Sequence, residues 1–405
     1  MVEIVIENSC RLEKSRHTYN YTIMNIIKVF SLFLICVITG CSSKKTTPNF
    51  NIEPTSTKEY SIENVFIDTL RLDSIVTSFE IESSINNDKI YLVDKYFNYI
   101  YEYNTMGNVL NRYLGTGRAR NETTIGQIAT HTFLDDGLFL LNQSGAYYYY
   151  DKHYNFKDMF IISYVNQEWN RLNIYEIPQA YTQRYSDIVC RQYEGNVYFN
   201  VHLAHEQVNI ISSTKEHLRK NANILEINSK MHDFGRLLAV GYPKSYYEDT
   251  YNKAIMSSVN FDIDKKGTFY VTYEADSLIY VYDKDFTMLK CYGFAGRDMD
   301  LDYTLTTTPK EVGKNYRTER NTKGYYNWLE YVDETGVLFR SYKKGEKATF
   351  DGLQIYKNGV MIGDIDVPKG FKLLGYIKPY YYSHIIADDK KETLTIYKLK
   401  YNFQE

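Results

Sequence analysis

The chain has 405 residues, a formal net charge of −3 and 16% aromatic side chains, with 42 tyrosines among them. It exceeds the usual size of one small domain and can bury a large core, and its near balance of acid and base excludes the basic stripe that a nucleic-acid surface needs. Tyrosine suits half-buried pleated surfaces and keeps a phenol within reach of water, so its abundance points either to strand packing or to a surface that stacks sugars or peptides.

Met24 opens a segment, MNIIKVFSLFLICVITGC, with a polar start at Lys28, an apolar stretch from Val29 to Ile38 and small residues before Cys41. That is the layout of a secretory signal, and it is shorter than the ~20 apolar residues that span a bilayer. Residues 24–40 are therefore expected to be a signal peptide, and residues 1–23 an extension ahead of the true start. The ending Ile38-Thr39-Gly40-Cys41 resembles the lipobox of bacterial lipoproteins, which implies lipidation of Cys41 and a membrane anchor through its lipid. Residues 41–58 then read as a tether, polar and flexible over Ser42 to Asn49. Surface lipoproteins of Bacteroidota usually place acidic residues after the lipidated cysteine. Ser42, Ser43, Lys44 and Lys45 stand here instead, which points to the periplasmic face of the outer membrane.

From residue 59 to 402 helical periodicity is scarce, and short β-rich runs separated by Gly, Asn and Asp turns predict an all-β fold. One unit recurs: a turn, a strand, a polar gap, an aromatic strand, a turn and a further strand. It is clearest in DKIYLVDKYFNYIYEYNTMGNVLNRYLG from Asp88 to Gly115 and KGTFYVTYEADSLIYVYDKDFTMLKCYG from Lys266 to Gly293, and a one-residue slip improves their match. Weaker copies begin at Asp136, Gly195, Thr335 and Tyr376. Ile162 to Cys190 and Asp298 to Asn327 read as insertions. Packing such sheets radially buries their faces and leaves only short edges, and closing the ring calls for the Tyr60 to Asp68 run to pair with the strand at Thr393 to Lys400.

The IYLVD-type strand, the IYEYN strand, Gly107, and the loop Gly115-Thr116-Gly117-Arg118 followed by Glu122 resemble the six-bladed β-propeller lipoproteins of Bacteroidota, relatives of NHL and TolB-like propellers. The resemblance implies six blades of four-stranded antiparallel sheet. Where the family carries a segment close to G-x-G-x-G-P-G-E, this chain reads GTGRARNE.

Gly115-Thr116-Gly117-Arg118 and Gly293-Phe294-Ala295-Gly296-Arg297 occupy matching places after the last strand of their units. Arg118, Arg120, Glu122 and Arg297 are thus candidate ligand-binding residues at a channel mouth, where guanidinium forks suit an anion; the same arginines could simply meet solvent or a carboxylate. Asp262-Ile263-Asp264-Lys265-Lys266-Gly267 lacks the later ligands of a calcium loop and reads as a strand and turn. His202 and His205 are three apart, His131 and His232 stand alone, and no metal or other cofactor is implied. Cys190 and Cys291 either bridge or remain buried thiols; their spacing decides neither. With no nucleophile elbow and no cysteine beside a base, the expected function is non-catalytic: a lipid-anchored envelope propeller binding a peptide, a glycan or a protein partner. The alternative is a periplasmic hydrolase or lyase acting on carbohydrate or peptide, which predicts acidic and basic side chains converging in a central pocket with perturbed acid strengths.

Overall fold

The computed structural model describes residues 50, 52–119, 122–161, 179–181, 188–204, 214–230, 233–246, 253–304 and 308–403. Cys41, Arg120, His205 and His232 lie outside them. Six antiparallel sheets follow one another as blades 1 to 6, over residues 81–114, 128–161, 190–240, 259–292, 325–367 and 373–403. Blades 1 to 5 each supply four strands of their own in meander order; in blade 5 the short strand Thr57–Lys58 adds a fifth in parallel to Val360–Met361. The first strands of neighbouring blades touch around a closed ring and surround a central channel. The fold is an all-β propeller, as the repeats predict, with the six blades that the resemblance implies.

The ring closes as expected. Ile62–Arg71, near the start of the described chain, is the outermost strand of blade 6 and pairs along its length with Thr393–Phe403, placing Asp68 opposite Lys398, with their charged groups 2.9 Å apart. Blades 1 and 4 also superpose in register with the slip seen in sequence: Leu92 pairs with Tyr101 as Val271 does with Tyr280.

Side-chain alternation explains why the blades stack. On the strand Lys89–Asp94, Ile90 and Leu92 pack towards blade 6, whereas Tyr91 and Val93 pack towards blade 2. Successive residues of a strand point to opposite faces, so a strand between two blades must be apolar on both. The core is accordingly six hydrophobic clusters, one at each junction between blades. Outer strands such as Val109–Leu114 are mostly exposed or half-exposed. Tyrosine serves mainly in these junctions: Tyr103, Tyr147, Tyr273, Tyr282 and Tyr356 are fully buried. Where a phenol must reach inwards it donates to backbone, as Tyr101 does to the Val76 carbonyl at 2.7 Å.

Because each sheet is a four-strand meander, the chain leaves a fourth strand and enters the next first strand on one face, here termed the upper face. The long connections between blades 2 and 3, 3 and 4, and 4 and 5 all belong to it. The last of them carries the helix Pro309–Thr322, opened by Thr308 and Glu311 in a capping box with proline in its first turn. Arg320 of this helix makes a buried two-pronged contact with Glu274, one arm at 2.6 Å, which ties the helix to blade 4. The predicted tether is already docked by its end: the Thr55 N–H donates to the Cys291 carbonyl and Phe50 packs edge-on against Tyr280. Among the described residues no helix is long and apolar enough to cross a membrane.

Candidate functional site: the central channel

The first strand of every blade faces the channel, and five of the six carry polar or charged groups into it. Blade 1 supplies Glu82, Ser83 and Ser84, blade 2 Thr130 and His131, blade 3 Arg191, blade 4 Asp262, and blade 5 Trp328 and Glu330. Blade 6 contributes from its upper connections, with Lys372 just before its first strand and His384 just after its second. Lys95 joins them from the end of the second strand of blade 1.

Two networks result. In the first, Arg191 donates to Asp262 at 2.6 Å and to Glu330 at 2.7 Å, with its guanidinium 5.2 Å from the Trp328 ring. Asp262 accepts a further bond from the Tyr331 N–H at 2.6 Å, and the Trp328 indole donates to Glu330 at 3.3 Å. Burial acts against the charge on Arg191, but Asp262 and then Glu330 outweigh it and raise its pKa further. Burial pushes the Glu330 carboxyl well above its ordinary value; Arg191 opposes this and Asp262 adds to it. One guanidinium therefore serves two carboxyls.

The second network centres on Glu82. It accepts from Thr130 at 2.9 Å, lies 3.2 Å from His131 Nδ1 without hydrogen-bond alignment, and has Lys95 at 3.9 Å. Burial works against its charge, yet His131 and then Lys95 hold the carboxyl below its ordinary value. His131 Nε2 is 2.7 Å from the Ser84 hydroxyl. Beside this lies a cavity of about 140 Å3 whose wall includes Lys95, Lys372, Ser83, His384 and Trp328. It adjoins the main channel cavity of about 300 Å3, which shares Glu82, Ser83, Trp328 and His384.

The Lys372 ammonium sits 5.7 Å from the Trp328 ring, whose other neighbours are Arg191 and the edge-on His384 ring at 4.4 Å. Burial first, and then the like charge of Lys95, bring Lys372 down to about 8. Burial, followed by Lys372 and Arg191, keeps His384 neutral, well below its ordinary value. Its Nδ1 is 3.1 Å from the Ser83 hydroxyl, which already accepts the Ile385 N–H. Its other nitrogen, Nε2, is a buried atom that has no protein partner.

The described residues singled out in sequence for ligand binding stand on loops of the upper face, outside the lining of the two channel cavities. Arg118 and Glu122 are exposed on the loop between blades 1 and 2. Glu122 turns back to accept the Ala119 N–H at 2.9 Å and fills the space a side chain at Gly117 would need. Arg297 is exposed after the fourth strand of blade 4 and pairs at 2.6 Å with Asp366 on the fourth strand of blade 5. None of these three is among the residues lining the channel cavities. The loop before Arg297 is pinned from below by the fully buried Arg340, which donates to the Phe294 carbonyl at 2.8 Å.

Asp262 to Gly267 forms a strand end and hairpin turn, with Asp264 accepting the Lys266 and Thr268 N–H groups. Cys190 and Cys291 are separate buried thiols. Among the described residues no group of three or more His, Cys, Asp or Glu is placed to hold a metal ion. His131, set aside in sequence as isolated, is in the channel network, and its signal was a polar residue on a strand just ahead of an Asp-Asp-Gly turn.

No family model matches the chain, and no curated protein matches it. Among solved structures, the fold is similar to that of a DUF4221 family member from Bacteroides vulgatus, with a TM-score of 0.60 at 12% identity over 85% of this chain and 98% of that one. It is also similar to a Bacteroides fragilis protein named as exported, with a TM-score of 0.52 at 13% identity over 86% of this chain and 100% of the other. At such identities the likeness extends to the fold alone: the chain is a six-bladed propeller of the shape found in these Bacteroides proteins.

Proposed function

We propose that this propeller is an exported, lipid-anchored binding protein whose upper channel mouth takes a carboxylate carried by a peptide or a glycan. The observation that carries the reading is the convergence of Lys95, Lys372 and His384 on one cavity walled by Trp328. Two ammonium groups close enough for one to lower the pKa of the other form a site that gains when an anion enters.

The test uses Trp328 emission in a Trp169→Phe background, since the chain has two tryptophans. Acetylated dipeptides and galacturonate are titrated against their amidated and uncharged counterparts at pH 7 and pH 9.5. The carboxylates should bind and the neutral partners should not. Lys372 loses its charge as pH rises through about 8, so affinity should fall about tenfold by pH 9.5, and K372M should lose at least that much at pH 7. Equal binding of amides, or an unchanged Kd in K372M, refutes the reading.

A second reading has its own observation. A lysine lowered to about 8 beside Glu82 is equipped to accept a proton, so the same mouth would serve a hydrolase or lyase on such a ligand. Product release from the bound carboxylates, abolished in K372M, would decide for it.

The anchor rests on the Ile38-Thr39-Gly40-Cys41 ending. Cys41→Ala should release the protein from the membrane fraction and remove labelling by a fatty-acid analogue. Persistent membrane association of that variant counts against lipidation.

A further inference from the structure

A cavity of about 420 Å3 lies away from the channel, between blades 1 and 2 at the lower face, with Gln192 reaching it from blade 3. An internal comparison shows that it is not the ordinary state of such a junction. In blade 4 the turn between the third and fourth strands runs from Asp283 to Thr287, and Phe286 stands in the left-handed region at φ 61°. Its N–H donates to the Asp283 carbonyl, and its ring stacks on Tyr282 at 4.2 Å and meets Phe269 edge-on, buried and closing the junction with blade 3.

Blade 2 builds the same turn from Asp151 to Asn155, with Tyr154 at φ 60° and the matching bond from its N–H to the Asp151 carbonyl. Here the junction stays open. Tyr154 stacks on Tyr113 of blade 1 at 3.9 Å, Tyr91 and Phe133 meet tilted at 4.7 Å, and all four rings line the cavity. A non-glycine residue held at positive φ is a cost that the surrounding structure must sustain; in blade 4 it seals a core, and in blade 2 it presents a ring to a hollow.

A second observation concerns Gln192. The residue lines this cavity, and its Oε1 lies buried beside it without a hydrogen-bond partner, which is unfavourable unless a small turn of the amide lets something donate to it. Around it stand Asn86, Asn87, Asp135, Asp151 and Lys152. Two carboxylates against one ammonium disfavour an anion, so this site differs in kind from the channel mouth. Flat aromatic walls that accept a C–H face, joined to amide and carboxylate acceptors for hydroxyl groups, match a neutral pyranose ring.

We infer that the cavity between blades 1 and 2 is a subsite for a neutral hexopyranose unit, stacked against the Tyr113 and Tyr154 wall and donating a hydroxyl to Gln192. The inference does not depend on the channel reading.

Saturation-transfer NMR on the full protein tests it with methyl glucoside, galactoside, mannoside and N-acetylglucosamine. At least one should receive saturation on one ring face. Gln192→Leu should weaken that sugar about tenfold, the loss of one hydrogen bond, while leaving the thermal midpoint equal or higher, because an unsatisfied acceptor is removed. Tyr154→Ala should abolish binding, and Tyr154→Phe, which keeps the ring of blade 4, should retain it and show that loss in the alanine variant is not misfolding. K372M should bind the sugar as wild type does. The inference is overturned if no hexopyranose receives saturation, if Gln192→Leu binds unchanged, or if K372M alone abolishes the signal.

Discussion

Replacing Arg191 with methionine should lower folding stability by ~3–5 kcal/mol, the cost of leaving a buried charge without its partner. The guanidinium is the shared donor of Asp262 and Glu330, and Asp262 is 5% exposed. Methionine keeps much of the packing against Trp328 but leaves two carboxyls facing each other. Glu330, already pushed up by burial, will take the proton that relieves this repulsion, so the deficit should be larger at pH 8 than at pH 5. Urea denaturation of R191M across that range measures it. The double variant R191M/E330Q should recover part of the loss at pH 8, and an R191M deficit independent of pH would show that packing, not charge, dominates.

Acid should unfold the protein through its neutral histidines. Burial holds His202 at about 3 and His217 at about 4, with His217 and Arg320 adding to the effect on His202; His384 is likewise lowered. In each case the unfolded chain binds a proton below about 6.5 that the folded chain refuses. Their contribution is therefore full above pH 6.5 and is lost as pH falls towards 4. Three such groups give a limiting slope of ~4 kcal/mol per pH unit, and Glu330, shifted the opposite way, offsets about one of them. The urea midpoint should fall sharply between pH 6 and 5, and His217→Phe should flatten that fall. An unchanged midpoint from pH 7 to 5 would contradict the buried, neutral state of these rings.

The fold was legible because junction strands carry a strong signal. Ile90-Tyr91-Leu92-Val93 and Phe269-Tyr270-Val271 are apolar on both faces, and turns marked by Gly107 and Asp283 divide the third strand of each blade from the fourth. The channel was not legible for the converse reason. A strand facing a polar channel alternates charge with core, as in Arg191, Asp262 and Glu330, and reads as an irregular prelude to the turn that follows it. The repeats were therefore phased from the second strand, which left the first strand of each blade outside the pattern. Pairing across the ring is also invisible in one dimension: Glu82 and His131 belong to different blades, and Ser83 meets His384 from the far end of the chain. Arg118 and Arg297 drew notice because glycine-rich loops stand out in sequence, yet the glycines answer local geometry, as Gly117 does for Glu122.

The pairing of Ile62–Arg71 with Thr393–Phe403 also governs how the chain must mature. An element that enters first waits for the one that arrives last, so the ring cannot close until the whole sequence has emerged. Contacts this distant in sequence slow folding and prolong exposure of strand edges. For a polypeptide threaded through a membrane from its N-terminus, the early strand would spend the passage unpaired, with blades 1 to 5 forming behind it. Under the proposed export, any variant that delays the final eleven-residue strand should therefore show itself first as aggregation during passage, before any loss is visible in the finished molecule.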